Sequence, residues 1–299
     1  MSYRTFLATT LTQSEEVLTN AVSNVAKVVE EGYEGAEILG IHFEGPYLNK
    51  AHKGAQPEEY CVKPDIEQFK RYQKAAHGLI KYITMAVEND EDYALTKYCS
   101  QNNVVVSIGH SNATYEQAVQ AYAHGARSMT HVYNAMTPFT HRANGLVGGA
   151  LRIRNMYGEI ICDGNHSTLA ALNNFFTSKG PDYSIMITDS LMCKGFPVGT
   201  KFDFGGQEVV IYPDGSAHLV EAGNLAGSTL NVNKGLKILI EDALVPVNYA
   251  INACTSNPAR CLHVDDRKGT IGVGYDADLV ILDRDYEVVQ PYCKGVGQK

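Results

Sequence analysis

An α/β fold of the TIM-like (β/α)-barrel kind is what this sequence predicts, and three observations carry it. Short apolar runs with strand character recur seven times with longer, helix-like runs between them. Strands separated by helices pair in parallel, and this many repeats suggest a barrel. Four of the runs also stop at a residue able to bind a metal or move a proton: Glu44 in IHFEGP, His110 in SIGHSNA, His131 in THVYNAM and Asp189 in ITDS. Strand ends are where parallel α/β folds place their chemistry.

The expected strands are 5–9, 38–43, 82–87, 104–109, 128–132, 158–162 and 184–188. Among the connections, Ser14–Glu31 places Val17, Ala21, Val25 and Val28 or Val29 at helical spacing. Pro64–Lys81 and Thr114–His124 are similar, the latter opened by the start signal Asn112-Ala-Thr-Tyr-Glu. Beyond Asp189 the segment 201–219 alternates and contains Pro213-Asp214-Gly215, a hairpin signal. Helical runs follow near 228–242 and 246–262, then a Gly-punctuated, β-rich tail. Residues 1–268 are thus expected to form the barrel domain with its hairpin insertion, and 269–299 part of a small β-sandwich. Thirty residues of β structure build no core alone, so the tail must pair with other strands. A closed barrel needs eight strands, and the count of seven, starting within five residues of Met1, implies that strand 1 is missing.

With 299 residues, 44% of them hydrophobic, the chain can bury one large core. Its net charge of −8, with no block of Lys or Arg, argues against a nucleic-acid partner. No run of about 18 apolar residues is present to span a membrane, and the opening MSYRTFLATTLTQ has no signal-peptide pattern. Seven scattered cysteines without a C-x-x-C form neither a disulfide framework nor a thiolate zinc site. A reduced, cytoplasmic protein is expected.

Glu44, His110 and His131 make an O,N,N donor set suited to Zn²⁺ or another divalent first-row ion with positions left for water. His42 shares Glu44's strand face and stands as a supporting residue, not a ligand. Asp189 can take a proton from a water and return it to a leaving group, although an Asp in a T-D-S context also suits a helix cap. His52, His77, His124, His141, His218 and His263 lie outside the motifs and read as solvated or structural.

HFEGPYLN followed by KGAQP, then SIGHSNAT, MTHVYNAM with Arg142 shortly after, DGNH, ITDS and LAGS, resembles the N-acetylglucosamine-6-phosphate deacetylase family of the amidohydrolase superfamily. The order and spacing match across nearly the whole chain, and NPAR…KGTIGVGYDADLVILD resembles the superfamily's C-terminal β segment. The resemblance implies a barrel of the metal-dependent amidohydrolase type and a phosphorylated amino sugar as substrate. It also implies metal ligation by Glu44, His110 and His131, with Asp189 as general base and acid. The family's H-x-H motif is absent, so one divalent ion per chain is implied: zinc first, with iron, cobalt or manganese as alternatives. By the same resemblance His166, Asn134, Ala135 and Arg142 bind the sugar phosphate, or His166 orients the substrate carbonyl. Leu225 and Ala226 contact the acetyl group, and Gln56 stands where some members carry a sugar-contacting histidine. A homodimer is the expected assembly. Two other readings stay open: a truncated, non-catalytic remnant, and an amidohydrolase for a different amide.

Overall fold

A computed structural model describes residues 4–298. All seven expected strands are present: β1 (Thr5–Thr9), β2 (Glu37–Glu44), β3 (Ile80–Met85), β4 (Val105–Ile108), β5 (Ser128–Met129), β6 (Tyr157–Ile161) and β7 (Ser184–Ile187). They stand in one sheet in the order of the sequence. The chain divides into two compact units, one running to Thr130 with Ala135–Met156 added, the other His131–Asn134 with the chain from Tyr157 on.

In the first unit β1 to β5 pair in parallel, each with the next. Helices α1 (Glu15–Glu31), α2 (Ile66–Ala75), α3 (Ala94–Gln101), α4 (Tyr115–Ala123) and α5 (Gly145–Arg152) separate or follow the strands. Residues alternate faces along a strand: Phe43 meets Tyr72 of α2 at 4.9 Å between ring centroids, so His42 and Glu44 face the other way. Register sets the height of everything on that inner face. Glu44 is level with Thr84, Thr84 with Ser107, and Ser107 with Ser128.

Helix α1 starts as its sequence demands, with the Ser14 hydroxyl accepting from Val17 N–H and Glu15 and Glu16 in the first turn. Its buried stripe, however, is Leu18, Val22 and Ala26, while Val17 is 49% exposed. The expected stripe is turned by one residue, because valines at 17 and 25 give a second apolar row of the same spacing. Helix α2 stops at Ala75, short of the expected end, since His77 and Gly78 adopt positive φ and β3 begins at Ile80. Helix α4 opens with a capping box between Thr114 and Gln117.

In the second unit β6 and β7 pair in parallel, and α6 (Leu169–Lys179) seats Phe175 against Gly158, where any Cβ would lie 2.8 Å from the ring. The alternating insertion is a three-stranded antiparallel sheet, β8 (Lys201–Phe204), β9 (Gln207–Ile211) and β10 (Ala217–Leu219), the last two joined by the Pro213–Gly215 turn. Helix α7 (Val232–Lys237) passes into a π-helical turn at Ile238–Asp242. The expected 246–262 helix is two, α8 (Val247–Cys254) and α9 (Ser256–Cys261), broken at Thr255. The tail forms its own antiparallel sheet from β11 (Leu279–Leu282), β12 (Val288–Cys293) and β13 (Val296–Gly297). Its pairing is among its own strands. All seven cysteines are thiols, six of them buried, and among the described residues no helix is long and apolar enough to cross a membrane.

The rotated stripe of α1 is testable. Leu18→Ala should cost about 2–5 kcal/mol of stability, and Val17→Ala no more than about 0.5 kcal/mol; urea denaturation of the two variants measures both.

Candidate metal centre and active site

Three of the four residues at strand ends have left-handed backbone: His110 at φ 48°, His131 at φ 33° and Asp189 at φ 50°. Non-glycine residues there cost of order 1–3 kcal/mol each and persist only where surrounding structure over-determines them. Each kink turns a side chain out of the alternation of its strand. His110 lies three residues beyond Ser107 and His131 three beyond Ser128, and those serines are level, so both histidines turn at one height. The chain around His131 is pinned on both sides: Thr130 N–H donates to Ile108 carbonyl, and Ala135 carbonyl accepts from Ser111 N–H. Glu44 ends β2 without a kink, and Gly45 makes the turn for it at φ 80°, where a Cβ would strike Thr12.

The three residues come together. One donor atom each of Glu44, His110 and His131 lies within 4.8 Å of the other two, and all three residues are buried. His110 Nδ1 sits 2.8 Å from the His52 carbonyl, which can only accept, so the ring carries its proton there. Nε2 of the neutral ring is then an acceptor, 3.0 Å from Glu44 Oε1, another acceptor. Two acceptors that close need a proton or a cation between them. Ligands bound to one ion at about 2.0–2.2 Å lie roughly 3 Å apart, and the second nitrogen of a ligating histidine is commonly tied to a carbonyl. The donor set fits a divalent metal. His42 lies outside this group: its Nε2 meets Thr84 Oγ1 at 2.8 Å, and the chain runs on through Thr130 Oγ1 at 2.7 Å to Ser107 Oγ at 2.6 Å.

Asp189 is half-buried after β7, and its backbone is held by the LAGS segment. Ser228 N–H donates to the Asp189 carbonyl at 2.7 Å, Leu191 N–H to Ser228 carbonyl, and the Ser228 hydroxyl to Thr188 carbonyl. A Cβ at Gly227, φ 52°, would lie 2.9 Å from the Asp189 carbonyl oxygen. Ala226 is buried, its N–H on the Ala217 carbonyl, and Leu225 is half-buried beside it. His166 follows β6, and its Nδ1 donates to Asp163 Oδ2 at 2.7 Å while Asp163 Oδ1 accepts from the Asn165 and His166 N–H groups. Burial pushes the Asp163 carboxyl up, but these hydrogen bonds and the His166 charge outweigh it and hold the group below the usual carboxylate range. Asn134 and Ala135 lie in the turn after His131, with Ala135 at φ 52°. Arg142 is exposed in the loop closed by Thr140 and Ala143. Gln56 is buried, and its Oε1 accepts from Thr12 N–H at 2.8 Å.

The sequence matches the amidohydrolase family over residues 3–296. The chain belongs to the amidohydrolase family. It is 41% identical over 293 residues to the N-acetylglucosamine-6-phosphate deacetylase of Bacillus subtilis, covering 97% of this chain and 73% of that relative. An Escherichia coli O157:H7 relative, 31% identical over 97% of this chain and 76% of its own length, is an N-acetylgalactosamine-6-phosphate deacetylase. The crystal structure of N-acetylglucosamine-6-phosphate deacetylase from Pasteurella multocida superposes with a TM-score of 0.91 at 31% identity, over 99% of this chain and 76% of that one. This amidohydrolase is therefore a metal-dependent hydrolase, with the parallel (β/α) fold of those enzymes.

Several residues around the site escaped the sequence reading. Asp163 orients His166 from three residues away, inside DGNH. His52, outside the motifs, supplies the carbonyl that sets the His110 tautomer. Glu88 closes the apolar run 82–87 as Glu44 closes 38–43, so the strand-end criterion was sufficient to find it.

Asp163 gives the site a pH signature. A carboxyl with a depressed folded-state pKa contributes stability above its unfolded value, about 3.9, and loses it as pH falls through the lower folded one. Asp163→Asn should therefore be less stable than the parent at neutral pH, the gap narrowing as pH falls below about 4; thermal melts across that range measure it.

Proposed function

We propose that this amidohydrolase removes the acetyl group of N-acetylglucosamine 6-phosphate, releasing acetate and glucosamine 6-phosphate. One observation carries the reading: a buried carboxylate–histidine–histidine donor set at strand ends, in a chain 41% identical to a relative of that name. One divalent ion, zinc ahead of iron, cobalt or manganese, held by Glu44, His110 and His131 would supply Lewis acidity toward the acetyl carbonyl. Asp189 accepts a proton from the attacking water as its oxygen bonds to the carbonyl carbon. It returns that proton to the amine nitrogen as the C–N bond breaks. The LAGS segment keeps Asp189 aimed by gripping its backbone, and Leu225 and Ala226 of the same segment receive the acetyl group. Arg142 pairs with the phosphate as a charged fork, with Asn134 and Ala135 beside it. His166, oriented by Asp163, completes that contact or orients the carbonyl, and Gln56 faces the sugar. Residues 1–268 form the hydrolase domain and 269–299 part of a small β-sandwich; the protein works as a cytoplasmic homodimer.

The E. coli relative supports a second reading, in which the C4 epimer, N-acetylgalactosamine 6-phosphate, is the substrate. Acetate release from each phosphorylated sugar decides between them: the first reading expects the higher kcat/KM on the glucosamine epimer, and release from neither refutes both.

Two variants probe the roles. Asp189→Asn should retain substrate binding and lose ~10²–10⁴-fold in turnover, the usual contribution of a positioned acid–base group; hydrolysis within tenfold of the parent would remove Asp189 from the mechanism. Arg142→Ala should lower kcat/KM on the phosphorylated sugar by about ten- to hundredfold, from a charge-assisted contact of roughly 1.5–3 kcal/mol. Its effect on unphosphorylated N-acetylglucosamine should be small, and equal losses on both would assign Arg142 a structural role.

A further inference from the structure

We infer that Glu88 is a positioning residue for His110, closing a hydrogen-bonded ring that holds this histidine in its left-handed conformation and in the tautomer with the proton on Nδ1. The inference rests on the reading of Glu44, His110 and His131 as metal ligands.

Glu88 sits on the turn after β3, and neither of its carboxylate oxygens touches the three ligands in any contact described. Each oxygen instead grips a residue joined to His110. Oε2 accepts from the Ser111 hydroxyl at 2.6 Å, and Oε1 from Asn112 N–H at 2.5 Å and Asn49 Nδ2 at 2.9 Å. Ser111 and Asn112 follow His110 directly. Asn49 binds it from the other side, its N–H donating to the His110 carbonyl at 2.9 Å. The Asn49 side chain also caps the short turn Lys50–His52 through Ala51 N–H, and that turn presents the His52 carbonyl to His110 Nδ1. The ring closes where His52 Nε2 meets Asn112 Oδ1 at 3.0 Å. One carboxylate thus holds both the backbone kink and the carbonyl that sets the tautomer.

The neighbouring Asp90 supplies a matched control. Its carboxylate also accepts three hydrogen bonds, from Leu95 N–H, Thr96 N–H and the Thr96 hydroxyl, all in the first turn of α3 and none near His110. Zn²⁺ or Co²⁺ alone is the probe, with affinity by titration calorimetry, the visible absorption of the Co²⁺ form, and thermal melts of the metal-free chains. Glu88→Ala should weaken affinity about ten- to hundredfold, the usual cost of losing such outer support, and alter the Co²⁺ spectrum. Asp90→Ala should lower the melting temperature and leave affinity and spectrum unchanged. Glu88→Gln should recover most of the affinity: its carbonyl serves Asn49 and Asn112, and its NH₂ donates to the Ser111 hydroxyl, which can also accept. If Glu88→Ala does not fold, Asn49→Ala cuts the same ring and decides by the same measures. Affinity in the Glu88 or Asn49 variant no weaker than in Asp90→Ala overturns the inference. His110→Ala separates the two levels: metal binding undiminished there overturns the ligand assignment itself.

Discussion

Parallel pairing of β2 through β5 is the constraint on which the site depends. In a parallel ladder each strand's position along its neighbour is fixed, and a slip of one residue would turn every inner side chain toward the helices. The levels Glu44–Thr84–Ser107–Ser128 therefore place the carboxylate and set both histidines at a common distance past the last paired serine. The apolar outer faces lock that register. Phe43 can reach Phe69 and Tyr72 only when Glu44 points inward, so core packing on one side of β2 orients the chemistry on the other.

The inner face is held together by polar contacts. Thr84, Ser107 and Thr130 are buried and linked hydroxyl to hydroxyl, with His42 at one end. Each hydroxyl can donate once and accept twice, so such a chain satisfies itself without water. It also couples its members: removing one hydroxyl leaves its neighbours short of partners in a region of low dielectric. Gly109 leaves room for the link, since a Cβ there would press on both threonines at 2.7 and 2.8 Å.

Much of this was legible in the residues. The seven strands follow from apolar runs, and Glu44, His110 and His131 from polar residues closing such runs, a pattern that reports on backbone alternation and needs no tertiary knowledge. The face of α1 was not legible, because Val17 and Val25 form a row equivalent to Leu18, Val22 and Ala26 and only packing chooses between them. The break at Thr255 was legible: Pro258 has no N–H to give the Cys254 carbonyl and its ring crowds that oxygen, so one helix cannot run through 246–262. The outer support of His110 was hidden for another reason. It spans Asn49, Glu88 and Asn112, which are far apart in sequence, and only Glu88, closing the apolar run 82–87, carries a signal of its own. A hydrogen-bonded ring leaves no periodicity to read.

In the proposed mechanism the left-handed residues His110, His131 and Asp189 set activity against durability. Glycine occupies such backbone without steric strain, at a cost in chain entropy, so replacing any of them by glycine relieves strain that the native residue carries. A search for heat-resistant variants judged on melting alone would weigh that relief against the lost side-chain contacts at each position, and would be blind to the proposed roles of these residues. Three such residues together withhold several kcal/mol, a sizeable part of the roughly 5–15 kcal/mol that separates a folded domain from its unfolded chain. The hydrogen bonds around the site serve as the reserve that makes this tolerable, and adding to them is the safer route to a more robust enzyme.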